Sequence, residues 1–147
     1  VSAGEKAAIA KFEAELKATK AAAEAIMKEN EKAASENPLA MMVPMKALAG
    51  KMQEIKGDGL PADLKDSWSG VVASFGKLAD LLKDFPDKPN DLVAWVTKNV
   101  GTDQAALEKW QNDFQAKLGA VMQGTEAAGK KFEEAGKKYG LDPEVLK

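Results

Sequence analysis

The sequence contains no cysteine, no histidine and no arginine, and each absence removes a class of chemistry. Without Cys or His there is no thiol nucleophile, no disulfide, no zinc site built on those ligands, no covalent haem attachment and no histidine general base. Without Arg the forked donor that grips phosphates and base edges is missing, and lysine supplies all 21 positive charges. Against 23 acidic residues these leave a net charge of −2. The charges are spread evenly: residues 1–36 carry six Lys and seven Glu, and residues 91–147 carry eight Lys and nine acids. Nothing in that balance forms a basic footprint for nucleic acid. No apolar run approaches the roughly 18 residues of a membrane span. Carboxylates remain for acid and base work, but no pairing of one with a second perturbed group is legible. The expectation is a protein that is not an enzyme and uses no cofactor.

What is present is helix, in a single domain covering residues 1–147. Ser2 followed by Glu5 has the form of a capping box, and Ile9, Phe12, Leu16, Thr19, Ala23 and Ile26 recur at spacings of 3 and 4. This predicts a first long helix running to Ser35. Asn37-Pro38 reads as a cap with proline at the first helical position, opening a second helix to about Lys56 that Pro44 either kinks or delays. Leu64, Trp68, Val71, Phe75, Leu78, Leu82 and Phe85 define a third. A short helix over Asp91 to Asn99 follows, closed by Gly101. A fourth long helix capped by Thr102 carries Leu107, Trp110, Phe114, Leu118, Val121, Thr125, Ala128, Phe132, Ala135 and Tyr139 on one face, and Gly140 ends it. "LDPEVLK" then adds a frayed turn.

Four of the six methionines fall between Pro38 and Met52. Thioether sulfur suits Cu(I), so Met41, Met45 and Met52 form an alternative soft-metal site. Their 4, 3, 4, 3 recurrence with Leu48 and Ile55 instead places them in the apolar stripe, with Met42 pointing away. Trp68, Trp95 and Trp110 sit on apolar helical faces and are expected to anchor the core, although large aromatics also wall ligand pockets.

Helix lengths yield a sharper expectation. At 1.5 Å per residue the first and fourth helices come to about 50 and 55 Å, the second and third to about 30 and 37 Å. Helical hairpins with short loops would then leave Ile9 and Phe12 facing only Phe132 and Tyr139, in a two-helix extension. Exposed apolar surface of that kind marks an interaction site, so these four residues are the expected contact with a second copy of the chain or another protein. The competing expectation is that one long helix bends or breaks.

The outline resembles the up-and-down four-helix bundles, which include the cytochrome c′ type. The haem and di-iron functions of such bundles do not carry over, because there is neither a CxxCH segment nor a Glu-x-x-His motif. The sequence therefore predicts an all-α up-and-down four-helix bundle with one short helix between the third and fourth. The expected role is protein–protein interaction or structural scaffolding, with a homodimer or protein partner and no nucleic acid. The alternative is a small apolar ligand inside the bundle beside Trp68 and Trp110, or Cu(I) on the methionine stripe. A start at Val1-Ser2-Ala3-Gly4 fits Met trimming, signal-peptide removal or a chosen expression boundary, and with the absence of cysteine it leans toward export.

Overall fold

The computed structural model describes residues 2–36 and 38–142. Among these residues there are helices and no strand: α1 (Ala3–Glu29), α2 (Glu31–Glu36), α3 (Met42–Gln53), α4 (Ala62–Leu82), α5 (Leu92–Asn99) and α6 (Gln104–Lys138), with 3-10 turns at Pro38–Met41 and Pro89–Asp91. No helix among the described residues is long and apolar enough to cross a membrane.

The capping box at the start of α1 is formed. Glu5 N–H donates to Ser2 Oγ and Ser2 N–H donates to Glu5 Oε1, both at 3.1 Å. The helix does not continue to Ser35, because Asn30 interrupts it. The Asn30 side-chain amide donates to the Ile26 carbonyl at 2.7 Å, and its backbone N–H reaches the same oxygen at 3.2 Å. A short amide that competes for the helix's own acceptor favours a terminus there.

Pro44 starts a helix and does not kink one. A 3-10 turn precedes α3 and puts Pro44 in the first helical turn, where its missing N–H would have had no intrahelical partner. Asn37, the expected cap, lies outside the described residues. At α6 the cap residue is Asp103, one position after Thr102, and at α5 it is Asp91.

The end of α6 is a Schellman motif. Gly140 takes φ +73°, Gly140 N–H donates to the Lys137 carbonyl, and Leu141 N–H donates to the Gly136 carbonyl at 3.0 Å. A residue in that position commonly packs back on the helix. Leu141 does so and is buried with Phe132, where a frayed turn was expected; residues 143–147 of that segment lie outside the description.

The pairs α3 and α4, and α4 and α6, run antiparallel. Between α3 and α4, Lys46 Nζ donates to the Phe85 carbonyl at 2.7 Å, while seven residues further on Gln53 reaches the Phe75 carbonyl at 3.3 Å. Between α4 and α6, Phe85 meets Phe114 at one end and Trp68 meets Phe132 at the other, with ring centroids 5.3 and 5.2 Å apart. The interior divides into two clusters. One gathers Phe12, Leu16, Ile55, Leu60, Leu64, Trp68 and Phe132; the other gathers Met42, Ala49, Leu78, Leu82, Phe85, Leu92 and Phe114. Phe75 touches both.

The surplus length of α6 lies at the end opposite Phe132 and Tyr139. α6, with 35 residues, exceeds the 21 of α4, but the excess lies at its N-terminal turns, where Trp95 of α5 meets Trp110. At the other end the segment after α3 turns over the core on Gly57 (φ +71°) and Gly59 (φ +81°). It buries Ile55 and Leu60 beside Phe12. Phe12 therefore packs edge-on against Trp68 at 5.0 Å as well as against Phe132 at 5.8 Å, and no two-helix extension exists there.

Candidate functional site

Three elements bring four aromatic rings together at the α5 end of the molecule. The chain just beyond α4 supplies Phe85, α5 supplies Trp95, and the first turns of α6 supply Trp110 and Phe114. Trp110 and Phe114 are four residues apart, so they share a helix face, and their rings stack with centroids 5.4 Å apart and planes at 11°. Trp95 meets Phe85 at 4.6 Å and stands at 62° to Trp110, 5.9 Å away. The same helical spacing adds Lys98 and Asn99 to Trp95, and Asp113 and Lys117 to Trp110 and Phe114. With Leu81 and Asp84 from α4 and its exit, they line an open groove of about 590 Å³.

Most polar side chains of this groove make no hydrogen bond or ion pair among the described residues. Trp68, in the core, gives its indole N–H to the Ile55 carbonyl at 2.8 Å. Trp95 and Trp110 are half-buried, and among the described residues neither indole N–H has a protein acceptor. No buried polar side-chain atom among the described residues lacks a partner, so these two donors face solvent. Asp84, Lys98, Asp113 and Lys117 likewise make no ion pair among the described residues. Asn99 donates its amide to the Trp95 carbonyl at 2.9 Å, holding the end of α5.

A second polar constellation lies at the opposite end. Asp63 accepts hydrogen bonds from Tyr139 Oη, from Lys138 Nζ at 2.9 Å and from Leu64 N–H at 3.1 Å. The Tyr139 and Lys138 hydrogen bonds pull its carboxyl pKa down to about 2. The same Asp63 contact raises the pKa of Tyr139 and of Lys138. Beside it Ile9 and Tyr139, both half-buried, line a shallow surface with Ala10, Glu13 and Lys138.

The expected apolar interaction tip is thus divided. Phe12 and Phe132, at 2 % and 4 % exposure, are core, clustered with Trp68, Ile55, Leu60 and Leu141; only Ile9 and Tyr139 keep accessible surface. Of the methionine stripe, Met41 and Met45 pack against one cluster and Met52 against the other. Along α3, Met45 and Met52 lie two turns, about 10 Å, apart. Met42, expected to point away, is buried at 8 % exposure; the 3-10 turn before α3 changes the angular step on which the stripe was counted. No group of three or more carboxylates among the described residues is placed to hold a metal ion.

Sequence reasoning identified Trp95 and Trp110 singly and missed their joint groove with Phe85 and Phe114. The available signal was the eight-residue length of α5, too short to bury a tryptophan on every side. No family model matches this chain, and no curated protein and no solved structure matches it either.

Proposed function

We propose that the protein is a non-catalytic binding protein whose ligand surface is the aromatic groove between α4, α5 and α6. The carrying observation is the contrast between its tryptophans: Trp68 is buried with its N–H satisfied, whereas Trp95 and Trp110 meet solvent with theirs unengaged. Half-exposed aromatics with convergent polar groups characterise small-molecule sites. The non-catalytic reading is supported by the absence of His and Cys, which removes the commonest general base and the thiol nucleophile.

The framework in this reading is an up-and-down four-helix bundle of α1, α3, α4 and α6, with α5 as the added short helix; the antiparallel order of α3, α4 and α6 supports it. A protein partner or a second copy of the chain is the competing use, and the surface around Ile9 and Tyr139 is its place. Native mass spectrometry over a concentration series, repeated after anaerobic Cu(I) addition, separates the readings. A monomer that takes up no copper is expected. A concentration-dependent dimer would move the function to chain association, and stoichiometric copper would move it to the methionines.

A further inference from the structure

We propose that the groove takes a neutral oligosaccharide, with sugar rings against Trp95 and Trp110; this rests on the groove being the binding surface. A pyranose has an apolar face of C–H groups and an edge of hydroxyls, so its site needs aromatic surface next to both donors and acceptors. The groove supplies each part. The rings of Trp95 and Trp110 provide the apolar contact, and their unengaged indole N–H groups provide donors.

The rim narrows the ligand class further. Asp84 and Asp113 are acceptors and Lys98 and Lys117 are donors, none of them in an ion pair among the described residues. Hydrogen bonds from hydroxyls to ionised groups are the stronger kind. Two charges of each sign cancel, so the rim selects neither an anion nor a cation. A fatty chain is disfavoured because it needs an enclosed dry wall, whereas this groove is open to solvent and half its lining is polar or charged. Its volume of about 590 Å³ lies within the roughly 300–1,000 Å³ of small-ligand sites.

The test uses the full ¹⁵N-labelled chain, because its three tryptophans give three indole N–H resonances with an internal control. Maltohexaose, cellohexaose and chitohexaose are titrated separately to millimolar concentration, followed by naphthol as a flat apolar probe. The proposal expects at least one sugar to shift the Trp95 and Trp110 resonances saturably while Trp68 stays fixed. Asp113→Asn, which leaves every ring in place, should weaken that binding about tenfold. Trp110→Ala should abolish it, with the Trp68 resonance reporting that the fold is kept. Shifts with naphthol and none with any sugar would overturn the carbohydrate assignment and leave the groove as a binding surface. No shift with any probe would overturn both.

Discussion

The indole N–H of Trp68 donates to the carbonyl of Ile55 at 2.8 Å, and both residues are buried. This bond ties the chain leaving α3 to the middle of the first core cluster and closes the end of the molecule over Phe12. Trp68→Phe would leave the Ile55 carbonyl unpaired and open a small cavity. Urea unfolding should show a loss of about 3 kcal/mol. Trp110→Phe, at the solvent-facing groove, should cost about 1 kcal/mol; equal losses would contradict the burial difference between the two sites.

Phe12 offers a direct test of the corrected packing. Its ring contacts Trp68 and Phe132 at 5.0 and 5.8 Å, so Phe12→Ala should destabilise by about 3–5 kcal/mol. Ile9→Ala, on the half-buried neighbouring surface, should cost about 1 kcal/mol. A Phe12→Ala protein as stable as the parent would restore the exposed tip.

Asp63 sets a dependence on acid. Its folded pKa of about 2 lies below the ordinary value of about 3.9, so the unfolded chain binds the proton more readily. The stabilisation from its contacts is therefore full above about pH 4 and is lost as pH falls through the folded value. Asp63→Asn should flatten the decline of thermal midpoint between about pH 4 and pH 2. A parallel decline in both proteins would place the acid sensitivity elsewhere.

The same contact acts on the single tyrosine with the opposite sign. The Asp63 carboxylate raises the Tyr139 pKa, so its proton is held more tightly in the folded protein; that contribution is present below the ordinary value of about 10 and is lost as pH rises through the raised one. Tyrosinate absorbance of the folded chain should appear above the usual range and move down in Asp63→Asn. An unmoved titration would show that the hydrogen bond does not hold in solution.

Gly140 and Leu141 form a pair of different kind. Any L-residue at φ +73° is strained, so Gly140→Ala should cost about 1–2 kcal/mol. Leu141→Ala removes a side chain only 3 % exposed and should cost about 2–4 kcal/mol. Chemical denaturation of the two variants checks both, and a neutral Leu141→Ala would detach the residue from the core.

Much of the secondary structure is written locally. The Ser2–Glu5 box, the period of Leu64 to Leu82, and the glycines after α5 and α6 act through backbone groups a few residues away, so no tertiary information is needed to read them. Asn30 is equally local, but no proline stands between it and Ser35 to mark the break. The candidate site was legible only in part, since Trp95 and Trp110 were visible as large aromatics while their shared exposure was not.

The sequence by itself determined that the chain is helical, near neutral, and without thiol, imidazole or guanidinium chemistry, because composition and 3.6-residue periodicity are properties of the chain alone. Only the tertiary structure decided which end of α6 stands beyond α4, that Ile55 and Leu60 fold over Phe12, and that two of three tryptophans meet water. Burial depends on what distant segments place around a residue, and a difference of one to two turns in where the helix ends fall near Pro44 and Asn30 redistributes those neighbours.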